Sequence, residues 1–389
     1  MSTAPTRPAV PEPGYRTAFL DWLACATAGS RESAARMARE IADGLLGRVA
    51  AAGTAGHVLD YDDTYLPGLA HLSAPTAPAA LVLGADRGAS VGDVLNAYAE
   101  GFEAAGALSA ANHPSLRERG WHPTAVCGAP AAAISAARLL GLAGESRHRA
   151  VALSLLRAGG LVRAFGSDGK SLQVGMAAAA GVEAALLAAR GASVRPDAVE
   201  AGFESAYGAR LELSRDRPAI EENWVKAYPC CLQTHSAIEA AEQARDRCAP
   251  SAARIDVVVH PVSLHAAVIA DPEDGLEAKF SIPYLVACTL LRGAPTVESF
   301  RDVDPEARSL ASTRIRVRTD EALLESEAVI ELDGERVAGI EAAVGSPARP
   351  MDEQRLQAKV RALAGQRLDA MLEDPAAPAA TLIAAAGLS

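Results

Sequence analysis

Along the first half of the chain, apolar residues recur every three to four positions, the spacing that places side chains on one face of an α-helix. The pattern runs from Tyr15 to about Arg190 and is broken by glycine and proline. Ser90-Val-Gly-Asp93 has the form of a capping box and predicts a helix reaching about Asn112. Residues 123–140 predict an alanine-rich helix kinked at Pro130. Residues 173–190 predict another, stopped by Gly191. After about Trp224 the period changes. Residues 253–260, 313–318 and 327–332 alternate, are rich in β-branched types and read as strands, the last running into the turn Asp333-Gly334. Helical patterns lie between them at 236–247 and 277–291, and 352–363 returns to helix. This predicts a mainly α fold: a flexible tail over residues 1–14, a large all-helical domain over 15–225, a smaller α+β domain over 226–349, and a segment 350–389 that rejoins the helices.

Composition agrees with this picture. Half of the 389 residues are hydrophobic, enough for a large core, and alanine, the strongest helix former, dominates. The formal charge of −11 excludes nucleic acid as a partner, since phosphates need a basic face. It also disfavours an anionic membrane surface. An acidic protein holds an acidic substrate only by gathering cations in a pocket, so isolated Lys, Arg and His in apolar surroundings carry the interest. The cysteines, Cys25, Cys127, Cys230, Cys231, Cys248 and Cys288, have no metal-type spacing. Free thiols behind a polar, proline-rich start lead us to expect a cytoplasmic location. No apolar run is expected to approach a membrane span.

Five segments carry candidate chemistry. In Gly56-His-Val-Leu-Asp-Tyr-Asp-Asp-Thr-Tyr65, a helical continuation would put His57, Asp60 and Thr64 on one face, with His71 shortly after; the plain alternative is an acidic helix end. In Gly120-Trp-His-Pro123, proline at the first helical position makes His122 the N-cap, where the helix dipole favours neutral imidazole. Phe165-Gly-Ser-Asp-Gly-Lys170-Ser171 misses the first glycine of a phosphate loop and follows a helix, so no nucleotide site is expected; Lys170 on a turn suits a carboxylate. Lys226-Ala-Tyr-Pro-Cys230-Cys231, followed by His235, places reactive types just where the period changes, and clefts between domains favour small ligands. In Glu277-Ala-Lys-Phe-Ser-Ile-Pro-Tyr284, the Tyr284 hydroxyl could reach such a cleft, although a packing tyrosine is the default.

In this order, Leu59-Asp-Tyr-Asp-Asp-Thr64, His71-Leu-Ser-Ala-Pro75, Gly120-Trp-His-Pro-Thr124, Lys226–Cys231, Thr234-His235 and Glu277–Tyr284 resemble the MmgE/PrpD family of dehydratases, decarboxylases and epimerases of small carboxylic acids. The resemblance covers about residues 15–365. It implies an all-helical domain, an α+β lid domain, a homodimer, and a site between the domains that uses neither metal nor organic cofactor. The matching site residues are Asp60, Thr64, His71, His122, Lys170, Lys226 and Tyr284. Cys231 stands where the decarboxylase-like pattern has histidine. Gln173 stands in a stretch that usually reads K-P-L-H-x-G.

The expected activity is that of a cofactor-independent lyase of hydro-lyase type, acting on a small di- or tricarboxylic acid by proton abstraction next to a carboxylate. Lys170 and Lys226, with Arg163 and Cys231 beside them, would bind the substrate. His122 would be the base, Asp60 or Thr64 would align it, and Tyr284 or His71 would deliver a proton. Epimerisation or decarboxylation of a similar acid are the alternatives. A thiol mechanism at Cys230 or Cys231, or a binding protein that has lost turnover, are the rivals.

Overall fold

The computed structural model describes residues 13–247, 254–365 and 368–388. The chain is mainly α with a smaller α+β part. Its first part consists largely of long helices, among them Pro13–Gly29, Gly44–His57, Ser73–Asp86, Val91–Ala111, Pro123–Leu139, Glu145–Leu155 and Gly169–Ala189. The expected tail ran to residue 14, but the first helix begins at Pro13; residues 1–12, Cys248 and Ala253 lie outside the described residues. The capping box forms: Ser90 Oγ accepts from the Asp93 N–H at 3.2 Å, and Asp93 Oδ2 accepts from the Ser90 N–H at 3.2 Å.

Small residues let these helices pack closely. A Cβ on Gly175 would lie 2.2 Å from the Ala50 carbonyl oxygen, and one on Gly53 would lie 2.9 Å from Gly175 Cα. Helices Gly44–His57 and Gly169–Ala189 therefore meet backbone to backbone. This brings His57, the last residue of one, against Lys170 near the start of the other. The helix Gly169–Ala189 is long and apolar enough, by length and composition, to cross a membrane, which corrects the expectation that no run comes close. It is packed against Gly44–His57, Pro123–Leu139 and Glu145–Leu155.

Two sheets form. Strands β1 (Thr64–Tyr65) and β2 (Asn223–Trp224) are an antiparallel pair with Thr64 opposite Trp224. Strands β3 (Ile255–Val259), β4 (Ile315–Thr319), β5 (Ala328–Leu332) and β6 (Glu335–Ile340) form a sheet in the order β4-β3-β5-β6. β3 is parallel to β4 and antiparallel to β5. β3 is buried throughout, which is why its sequence is a valine run. The Asp333-Gly334 turn has both residues at positive φ, 51° and 89°, and leads into β6. That strand escaped the pattern reading because its first residues, Glu335 and Arg336, are exposed.

The sheet shares a core with helices His235–Ala244 and Ile282–Arg292: Val257, Ile330, Ala240 and Val286 are in one cluster. The late helix Glu353–Ala364 turns the other way. Its Leu356, Val360 and Leu363 join Phe19, Trp22 and Leu23 in the large helical core.

Candidate active site

The site is built around Asp60. The helix that starts at Gly44 ends at His57, and Asp60 adopts a left-handed φ of 54°, a conformation aspartate tolerates better than most residues. Asp60 thus reaches the site on a loop and Thr64 at the start of β1, and the helical face expected for residues 57–64 does not form. Pairing of β1 with β2 then places Lys226, two residues past Trp224, against Asp60. Lys226 Nζ donates to the Asp60 carbonyl oxygen at 2.8 Å and to Oδ1 at 2.9 Å. Lys170 Nζ donates to the same Oδ1 at 2.9 Å and to His57 Nε2 at 2.9 Å. Burial pushes the Asp60 carboxyl pKa up, but Lys170 and Lys226 more than reverse this and leave it well below the ordinary range. Asp60 is therefore a carboxylate at neutral pH. Its Oδ2 is buried without a hydrogen-bond partner among the described residues.

Hydrogen-bond partners assign the protons on the surrounding imidazoles, because an ammonium only donates and a carbonyl only accepts. His57 accepts from Lys170 at Nε2, so its Nδ1–H donates to Asp62 Oδ2 at 2.9 Å. His71 Nδ1 is 2.9 Å from the Asp63 carbonyl oxygen, so it carries the proton and Nε2 keeps a lone pair. That Nε2 lies 3.6 Å from Asp60 Oδ1. His122 is the N-cap of Pro123–Leu139, as expected, but its side chain caps nothing. Its Nδ1 instead faces Gln173 Nε2 at 2.7 Å. All three histidines are buried. Burial, aided by the Lys170 ammonium, lowers the pKa of each, and that of His71 falls to about 3.

Asp60, Thr64, His71, His122, Lys170 and Cys231 line one cavity, together with Arg117, Phe165, Gln233 and Phe280. Phe165 and Phe280 pack against each other in its wall, ring centroids 5.4 Å apart. The cavity measures about 40 Å³, room for a few waters.

Three expected site residues are placed elsewhere. Lys226 does not line the cavity; it is fully buried and grips Asp60 from outside it. The reach assigned to Tyr284 is corrected: its ring packs with Cys230, Cys288 and Ala307, and its hydroxyl accepts the Asp304 N–H at 2.9 Å. Arg163 is exposed and outside the cavity lining, because it sits on the outer side of a short 3-10 turn, Val162–Ala164.

Sequence reading missed Arg117. This buried guanidinium donates to the His265 carbonyl oxygen at 2.6 and 2.9 Å and lies 5.1 Å from the Phe165 ring centroid. Its signal was its place five residues before His122. Burial raises both adjacent thiols, Cys230 to about 12, which argues against a thiolate nucleophile. His57, Asp62 and His71 lie close enough to share a metal ion, yet they already pair with one another. A cation there would also face the Lys170 ammonium on the far side of His57.

Comparison with known proteins gives this geometry a family. Residues 48–216 match the MmgE/PrpD N-terminal domain and residues 228–377 match the MmgE/PrpD C-terminal domain. The chain belongs to the MmgE/PrpD family. Among its relatives are cis-aconitate decarboxylase of Aspergillus terreus, 28% identical over 376 residues, covering 83% of this chain and 76% of that protein. Cis-aconitate decarboxylase of Homo sapiens is 28% identical over 285 residues, covering 67% of this chain and 59% of that protein.

The charges of this MmgE/PrpD site set how stability depends on pH. His57, His71, His122 and His235 are held below the usual 6.5, the last also to about 3. A depressed pKa gives stability that is present above 6.5 and lost as pH falls. Asp63 opposes them: burial, then the Asp62 charge, raises it to about 8, giving stability that is present below 3.8 and lost as pH rises through 8. Each proton counts for roughly 1.4 kcal/mol per pH unit. From pH 4 to 6.5 these histidines, joined by His113, outnumber the two raised carboxyls Asp63 and Asp21, and from 6.5 to 8 Asp63 makes stability fall as pH rises. The melting temperature, followed by circular dichroism, should therefore peak near pH 6.5. Asp63→Asn should flatten the alkaline limb and steepen the acid one. A maximum at pH 5 or below would contradict the neutral histidines.

Proposed function

We propose that this chain is a lyase that forms a carbanion beside a carboxylate of a small tricarboxylic acid, of the cis-aconitate size class. The observation that carries this reading is His71 Nε2, an imidazole lone pair 3.6 Å from the Asp60 carboxylate, in a cavity lined by Lys170 and Arg117. The two cations are suited to binding substrate carboxylates and to stabilising the charge that builds up as the bond breaks. His71 Nε2 takes the α-proton, and the C–H electron pair forms the double bond. The imidazolium so formed sits beside Asp60, which favours it. It returns the proton to the departing hydroxyl, which leaves as water. Base and acid are then one group, and the reaction is that of a hydro-lyase needing neither metal nor organic cofactor.

Decarboxylation is the second reading. It is favoured by the relatives, which are named cis-aconitate decarboxylases. It would use the same cations, and His71 would have to be charged first. We further propose that the helical and α+β domains divide near residues 225–226 and that the chain assembles as a homodimer.

The test is NMR of cis-aconitate, citrate, methylcitrate and malate incubated with the protein in D₂O. Gain or loss of water with deuterium at the adjacent carbon is the expected result. Carbon dioxide with a five-carbon diacid would establish the second reading. Inversion alone would make the chain an epimerase. A ligand that raises the melting temperature yet exchanges no proton would remove the enzymatic reading.

A further inference from the structure

Gln173 is one helical turn beyond Lys170 on Gly169–Ala189, on the same face. Its amide orientation is set by the backbone. The Leu161 N–H donates to Gln173 Oε1 at 2.8 Å, and Gln173 Nε2 lies 3.3 Å from the Leu161 carbonyl oxygen. Turning the amide over would set donor against donor and acceptor against acceptor. The loop is shaped to the amide: Gly160 has φ 131°, and a Cβ there would lie 3.2 Å from Gln173 Oε1. The Gly160 carbonyl also accepts the His122 N–H at 2.9 Å, tying the loop to the histidine.

With its amide so held, Gln173 presents an N–H to His122 Nδ1 at 2.7 Å. That nitrogen must be the acceptor, so the neutral ring carries its proton on Nε2. His71, across the same cavity, has the opposite tautomer, because its Nδ1 faces the Asp63 carbonyl. We propose that Gln173 is a positioning residue that fixes His122 as a neutral hydrogen-bond donor toward negative charge developing on the substrate. This rests on the cavity being the lyase site, and it reverses the role that the N-cap position alone suggested. With hydrogen already on Nε2 and Nδ1 occupied, His122 has no free nitrogen for a proton. It also does not give one up, since that would leave an imidazolate; its bond to the substrate oxygen strengthens as charge builds and relaxes afterwards. A neutral imidazole aimed in this way polarises an oxygen without proton transfer.

The experiment is ¹⁵N–¹H correlation NMR of the histidine-labelled full chain, which reads each tautomer directly and needs no substrate. His122 should show its proton on Nε2 in the wild type. In Gln173→Glu the carboxylate can only accept, so the proton should move to Nδ1. The kcat should fall about 100-fold or more, the usual effect of removing one such donor, with KM changed far less. A wild-type His122 protonated on Nδ1 overturns the proposal, even if the variant does not fold. So does a folded Gln173→Glu enzyme that switches tautomer and keeps its kcat. If the tautomers are as stated but no acid is turned over, the lyase reading fails and the assignment of His122 stands.

Discussion

Lys170→Met is expected to lower kcat/KM by about two to three orders of magnitude while leaving the protein folded. The loss follows from removing a preorganised cation from a buried site, where such a group is worth about 3–4 kcal/mol to a charge-building transition state. The fold should survive because Asp60 keeps its second partner: Lys226 donates to the same Oδ1 and to the Asp60 carbonyl. Methionine also fills the space beside Phe165 and Phe280, whose ring centroids lie 5.4 and 5.6 Å from the ammonium. A second effect identifies the cause. Lys170 is among the groups that lower His57, His71 and His122, so without it their pKa values should rise. If His71 is the base, the acid limb of the kcat/KM profile should then move to higher pH. Steady-state kinetics from about pH 3 to 9, which spans the low His71 pKa, with circular dichroism as the fold check at each pH, decides the matter. A folded variant within threefold of wild type would place the substrate-binding cation elsewhere, with Arg117 next in line.

The residues that sequence reading placed well are those whose role is local. His122 is an N-cap because Pro123 makes it one, and Ser90 caps its helix through a partner three residues away. Asp60, Thr64, His71 and Lys170 stand in motifs whose types and order carry a family resemblance, and the fold brings them to one cavity. What remained illegible depends on contacts far apart in the chain. Lys226 has the chemistry of a substrate ligand, but the short β1–β2 pairing turns it toward Asp60 from outside the cavity. Tyr284 has a hydroxyl to offer, and the Asp304 N–H claims it. The helix assumed for residues 57–64 obeys the periodicity yet ends at His57, because Asp60 turns left-handed to meet two lysines. Tertiary charge pairing overrides the local pattern there. Gln173 stood out as a departure from the usual K-P-L-H-x-G, but its partner lies 51 residues away, and only the fold shows that its amide touches a histidine.

The other large expected effect lies outside the cavity, at Lys359, which no motif marked. This lysine of the late helix is buried and 2.6 Å from Asp21 Oδ1 in the first helix. It also donates to the carbonyl oxygens of Tyr61 at 2.8 Å and Lys226 at 2.9 Å, and lies 3.9 Å from the Tyr61 ring centroid. One ammonium thus ties the C-terminal segment to both backbone stretches that carry the Asp60–Lys226 contact. Lys359→Met leaves Asp21 buried without its cation and strips two carbonyls of a donor. Breaking a buried pair in this way costs about 3–5 kcal/mol, on the order of 10 °C in melting temperature for a chain of this size. Burial already pushes the Asp21 pKa up against the pull of Lys359, so in the variant Asp21 should take a proton and the loss should be smallest at low pH. Adding Asp21→Leu to Lys359→Met should recover part of the stability, because an apolar pair of similar volume has no charge to strand. The recovery stays partial, since the two carbonyls remain without their donor. Thermal unfolding of both single variants and the double variant gives the coupling directly. Additive losses in the double variant would show that the ion pair contributes nothing of its own, and that Lys359 acts only through the two carbonyls it holds.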